Sequence, residues 1–231
     1  MLTLRNKSRL IGILIIAAMV AGVLSVAPSV DSAAYLVEAA KNQTQVMNAA
    51  LFQFAMALIY FAIAILLYPI VKPFGENLAR SFFGLKVTAM ILVIISTVFL
   101  VSLFELSVEF ARLSPQDPLA FEAFGKVLKT TRDQVNHVFM ILVLCIGNIA
   151  LFALFIKSKM IPIWICVFGI IGAVLSSVAS ILVLFRVFDI ITTEYLLMNA
   201  PTALADLALS LWLIFKGLDV EGTNRGNRVP G

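Results

Sequence analysis

Soft metal ligands are almost absent from this sequence, which holds one histidine, His137, and two cysteines, Cys145 and Cys166. A structural zinc site needs four such groups at set spacings, so none can be assembled here. Both cysteines sit inside apolar runs, where a thiol behaves as a small hydrophobe, and no disulfide is expected. Neither a His-Glu-x-x-His helix nor a glycine-rich phosphate loop occurs, which removes the common metallohydrolase and nucleotide-driven chemistries. No nucleophile–base pair is visible either, so the chain reads as noncatalytic and free of cofactors. Charge is scarce as well, at 13% of residues, and the net +4 is scattered along the chain. A nucleic-acid surface would gather that charge on one face, so nucleic acid is excluded as a partner.

What the sequence does contain is apolar length. Hydrophobic residues make up 61% of the chain and mean hydropathy is +1.05, beyond the range of soluble globular domains. Runs of about 18 or more apolar residues cross a hydrocarbon core roughly 30 Å thick. Six such runs fill most of the chain, over 10–30, 48–70, 82–104, 135–156, 163–185 and 196–215. The expectation is an all-α bundle of six transmembrane helices over residues 1–218, followed by a short polar tail, 219–231, that is rich in glycine and disordered. The link 105–133 contains the breaker Ser-Pro-Gln-Asp-Pro at 114–118 and then a helical pattern. Phe121, Phe124, Val127 and Leu128 take one side of it and Glu122, Lys126, Lys129 and Asp133 the other. This segment either extends the fourth span or lies on the outer membrane surface. The basic N-terminus, apolar run and small residues at 31–34 resemble a secretory signal, but an apolar core of about 20 residues is long for one, and the first span is expected to be retained.

Lysine and arginine near span ends stay on the cytoplasmic side. With the N-terminus inside, Arg5, Lys7, Arg9, Lys72, Arg80, Lys157, Lys159, Lys216, Arg225 and Arg228 fall inside. They outnumber Lys41, Arg112, Lys126, Lys129, Arg132 and Arg186 outside, so both termini are expected in the cytoplasm.

Polar residues within the spans carry the functional signal. On span six, Asn199, Thr202, Asp206 and Ser210 recur at helical spacing and share a face. An Asp turned toward lipid costs about 2.5 to 3.5 kcal/mol, so this face must look into the bundle. At a rise of 1.5 Å per residue, Asp206 lies roughly 14 Å from the cytoplasmic end of its helix, Asn148 roughly 12 Å and Tyr60 roughly 15 Å. Lys86 lies roughly 6 to 9 Å deep by the same measure, with a side chain that reaches further in. These four residues form one expected polar layer, a candidate proton or ligand path. His137 shares a face with Asn148, and Gln53 with Tyr60, which extends a polar track outward. The bland alternatives are that Lys86 snorkels to the interface, that His137 is interfacial, and that Asn148, Thr202 and Ser210 only bond neighbouring helices. Small residues step by four along span one (Ala17, Ala21, Ser25) and span five (Gly169, Ala173, Ser177; Gly172, Ser176, Ser180), giving surfaces for close packing within the chain or between copies.

Three segments, Leu-Tyr-Pro-Ile-Val-Lys-Pro-Phe-Gly-Glu-Asn-Leu-Ala at 67–79, the stretch 156–173, and Pro-Thr-Ala-Leu-Ala-Asp-Leu-Ala-Leu-Ser-Leu-Trp-Leu-Ile-Phe-Lys-Gly-Leu at 201–218, resemble a bacterial membrane family, domain of unknown function 4386. The resemblance implies a multi-pass protein of the inner membrane and an acidic residue where Asp206 stands, with a basic one near Lys86. Met90 stands where the family tends to place an acid after that base. The third spans of the two halves carry Lys86 and Asp206, a hint of the inverted repeat of small transporters. Two functions fit: a small transporter in which Asp206 changes protonation, or a noncatalytic lipid-binding or partner-binding component, with or without self-association, in which the polar layer fixes helix packing.

Overall fold

The computed structural model describes residues 3–113 and 117–219. The expected polar tail from residue 220 onward, and Ser114 to Gln116 of the expected chain break, lie outside the described residues. All regular structure among the described residues is helical. Helix α1 spans Leu4–Leu24, short α2 Pro28–Asp31, α3 Tyr35–Lys41, α4 Gln43–Val71, α5 Glu76–Leu113, α6 Leu119–Asp133, α7 Met140–Ser158, α8 Ile163–Leu184 and α9 Thr193–Phe215. A π-helical turn over Gln134–Phe139 joins α6 to α7 without a break. Helix α6 is thus an extension of the fourth span. Six helices are long and apolar enough to cross a membrane.

The first span sits earlier in the chain than the apolar run suggests. The Thr3 side chain accepts a hydrogen bond from the Asn6 amide at 3.3 Å and starts α1 among the basic residues. At the other end, Pro28 lacks an amide proton and disfavours helical backbone at Ala27, whose φ and ψ are −120° and 79°. The helix therefore stops at Leu24. Helix α5, by contrast, meets no proline until Pro115 and continues to Leu113, past its expected end at Phe104.

Packing order follows chain order. Helices α1 and α4, α4 and α5, α5 and α7, α7 and α8, and α8 and α9 are neighbours, and α9 packs back on α1 to close a ring. The first turns of α1 and the segment after α9 meet at one face, where the Leu218 amide donates to Ser8 Oγ at 3.1 Å. The opposite face is capped by α2, α3 and α6. Ser107 Oγ on α5 donates to the Leu36 carbonyl at 2.8 Å and accepts from the Ala40 amide at 2.7 Å, which pins α3 in place.

Lipid is as apolar as leucine, so helices in a bilayer associate through close approach and interhelical hydrogen bonds. The small residues supply the approach. A Cβ on Gly172 of α8 would stand 2.7 Å from the Thr202 amide nitrogen and 2.9 Å from the Pro201 carbonyl carbon on α9. Beside that contact Ser176 and Thr202 share a 2.6 Å hydroxyl hydrogen bond. On α1, a Cβ on Gly12 would stand 2.6 Å from the Ser210 carbonyl oxygen. Outward, Leu204, Leu207, Leu211 and Phe215 of α9 are exposed, while Ala205, Leu209, Ser210 and Leu213 are buried. One side of α9 is made for lipid and the other for the ring.

Gly172→Val should lower stability by about 1 to 3 kcal/mol by forcing α8 off α9. Gly84→Ala, where a Cβ meets nothing within 4 Å, should leave stability unchanged or raise it by up to about 1 kcal/mol. Melting of the two variants in detergent checks the pair, and equal melting temperatures would contradict the close packing of α8 on α9.

Candidate functional site

Asp206 is half-buried on the inner side of α9, between the buried Ala205 and Leu209. It lines a cavity of about 170 Å³ together with Lys86 from α5, Tyr60 from α4 and Asn148 from α7. Four helices thus bring the four expected polar residues to one chamber. Ile63, Leu67, Leu151, Phe152 and Leu209 form much of its apolar wall, and α1 closes it with Ile15, Ala18, Met19 and Gly22.

Lys86 does not snorkel. It is 7% exposed, and its Nζ stands 5.2 Å from the centre of the Tyr60 ring, a cation–π arrangement. Helices α5 and α9 are not neighbours in the ring, so ammonium and carboxylate face the chamber from separate walls. Among the described residues, neither Lys86 nor Asp206 has an ion-pair partner within 4.0 Å. Asn148 is 5% exposed, and its amide, the Tyr60 hydroxyl, the Lys86 ammonium and the Asp206 carboxyl carry no side-chain hydrogen bond among the described residues.

The rest of the polar stripe on α9 behaves differently. Asn199 Nδ2 donates to the Tyr195 carbonyl at 2.9 Å, Thr202 is bonded to Ser176, and Ser210 Oγ donates to the Leu207 carbonyl at 2.7 Å. Thr202 bonds across to α8, whereas Asn199 and Ser210 bond back within α9. Asp206 is the member of the stripe left facing open space.

A second chamber of about 390 Å³ lies toward the capped face. It shares Gly22, Met56 and Tyr60 with the first, so these three residues form the wall between them. Gln53, Asn136, His137, Asp31 and Arg132 supply its polar lining. His137 and Gln53 thus line a chamber that adjoins the one holding Asn148 and Tyr60. Gln53 Nε2 donates to Ser96 Oγ at 3.4 Å, while its Oε1 and the Asn136 Oδ1 are buried without partners. His137 Nδ1 lies 3.3 Å from the Tyr195 hydroxyl, and its backbone carbonyl accepts from Ser180 Oγ at 2.9 Å.

Arg132 is the functional-looking residue that sequence reasoning missed. It is 8% exposed, and its guanidinium pairs with Asp31 at 2.5 Å and Asp133 at 2.9 Å. Lys129 Nζ donates to the Asp31 carbonyl at 2.8 Å and stands 5.4 Å from the centre of the Tyr35 ring. The cluster ties the α1–α3 connection to α6 across the mouth of the second chamber. The only signal in the sequence was an Arg-Asp pair on a segment that extends a membrane span.

Removing Arg132 would leave two carboxylates facing each other, whereas Asp31→Asn keeps a neutral acceptor for the guanidinium. Arg132→Leu should therefore cost about 3 to 5 kcal/mol and Asp31→Asn distinctly less. Thermal melting orders the two, and the reverse order would contradict the ion-pair geometry.

The family model for a domain of unknown function (DUF4386) matches residues 10–217, a range that contains both chambers and every residue of the candidate site. No curated protein and no solved structure matches the chain. The match runs from the first membrane helix to the end of the sixth, and the chain belongs to the DUF4386 family.

Proposed function

We propose that this protein is a small noncatalytic transporter of a bacterial inner membrane, with both termini cytoplasmic, in which Asp206 gains and loses a proton while Lys86, Asn148 and Tyr60 line the path. The observation that carries this reading is the convergence of four polar side chains, none bonded to protein, on one internal chamber that abuts a second. Polar groups that serve only packing in a membrane interior are satisfied by neighbours, as Ser176 and Thr202 are. Groups that stay unsatisfied and face open space are placed to meet water, ions or a solute. A carboxyl beside an ammonium in a low-dielectric chamber changes charge according to what else the chamber holds. That is the property a proton-coupled carrier uses.

The wall of Gly22, Met56 and Tyr60 is the part that must move for solute to pass between chambers. Met56 is flexible and Gly22 carries no side chain, so the wall can change at small cost. Access would then alternate, with the inner chamber closed from the outer one by Tyr60 and the outer one closed from the far face by the Arg132 cluster. The tyrosine stays available as a cation–π partner to Lys86 in one of the two states.

Reconstitution into liposomes tests the role of Asp206. Asp206→Asn should abolish pH-linked solute or proton flux while the protein still folds and melts within a few degrees of the parent. Flux unchanged by the substitution would contradict the assignment. A fall in melting temperature or partner recovery with flux unaltered would favour the alternative reading, a lipid-binding or partner-binding component. For orientation, a reporter fused to the C-terminus that fluoresces only in the cytoplasm should be bright, and a dark fusion matched by an active periplasmic reporter would reverse the topology.

A further inference from the structure

We propose that the chamber between α5 and α9 binds a small zwitterion, with its anionic group on Lys86 and its cationic group on Asp206. The inference rests on the transport reading above and names the class of solute. Its basis is charge arithmetic. The chamber holds one basic and one acidic side chain on separate walls, more than 4.0 Å apart and, among the described residues, without an ion-pair partner. Burial of an unpaired ion costs several kcal/mol, so each group stands to gain from a partner of opposite sign. A simple anion would satisfy Lys86 and leave Asp206 alone, and a simple cation would do the reverse. A neutral polyol satisfies neither charge. A molecule carrying both charges pairs with both walls at once and adds no net charge to the membrane interior.

Size and lining narrow the class. A cavity of 170 Å³ is close to the roughly 150 Å³ that accommodates benzene, so the ligand has about six to eight non-hydrogen atoms. Asn148 can donate a second hydrogen bond to a carboxylate held by Lys86, whose ammonium is also steadied by the Tyr60 ring 5.2 Å away. Ile63, Leu67 and Leu209 lie along the remaining wall, where a short alkyl spacer fits. The second chamber presents no such pair of open charges, because Arg132 is already neutralised by Asp31 and Asp133. It offers two unpartnered amide oxygens instead, Gln53 Oε1 and Asn136 Oδ1, which suit the passage of an ammonium group better than its retention.

The test uses the full chain in lipid nanodiscs, with thermal shift and calorimetric titration. Glycine, β-alanine and γ-aminobutyrate vary the charge separation, while propionate and propylamine carry one charge each. At least one zwitterion should raise the melting temperature, with either single-charge analogue weaker by about tenfold or more. Lys86→Met and Asp206→Asn should each weaken that zwitterion by about tenfold or more, and the exchange Lys86→Asp with Asp206→Lys should restore part of the loss. No shift with any zwitterion, or single-charge analogues that bind as tightly, would overturn the proposal without requiring any variant to fold. The two readings separate cleanly. Flux that depends on Asp206 without zwitterion binding removes this solute class and leaves transport standing, whereas binding without any flux leaves the site and removes the transport reading.

Discussion

Hydrocarbon offers a polar group no partner, and that one constraint arranges the whole molecule. A chain with 61% hydrophobic residues has enough apolar surface to face lipid on every helix. Its few polar side chains must therefore turn toward one another or toward an enclosed space. The closed ring α1–α4–α5–α7–α8–α9 provides that space, because each helix has an inner side that no acyl chain reaches. Where small residues allow backbones to touch, as at Gly172 against Pro201 and Thr202, the ring is tight. Where they do not, chambers remain, and the polar residues line them.

The same constraint separates bonded from unbonded polarity. Ser176, Thr202 and Ser107 find partners on neighbouring helices and hold them together, while Ser210 and Asn199 bond back to carbonyls of their own helix. Lys86, Asp206, Tyr60 and Asn148 share a chamber and have no such bonds. Arg132 represents a third case, a buried charge neutralised by two acids on different segments. It ties the connection after α1 to α6 at the far end of the ring. The molecule thus places its paired charges at a lid and its open charges in its middle.

Much of this was legible in the sequence because bilayer physics is unforgiving. Six spans, an all-helical fold and an inward Asp206 follow from run length, the 3.6-residue period and the cost of an acid in lipid. The shared depth of Tyr60, Lys86, Asn148 and Asp206 followed from rise per residue alone, and all four do meet at one chamber. Other features depend on the third dimension. Helical depth cannot say which way a flexible lysine turns, and Lys86 turned inward because Tyr60 and an open space were there to receive it. Arg132 and Asp31 lie 101 positions apart, so each looked like an ordinary charge at a membrane flank. The end of α1 at Leu24 was obscured because Val26, Ala27 and Val30 carry the apolar run on both sides of Pro28, although proline disfavours helical backbone at Ala27.

The central claim is that the side chain at position 206 faces an aqueous interior rather than acyl chains. A nitroxide placed there through Asp206→Cys, with Cys145 and Cys166 replaced by alanine, measures it directly in liposomes. Relaxation of the label by a water-soluble nickel chelate and by oxygen, which concentrates in lipid, reports which medium surrounds it. The account requires relaxation by the chelate to exceed that at the lipid-facing position 207. Oxygen-dominated relaxation equal to that at 207 would contradict it.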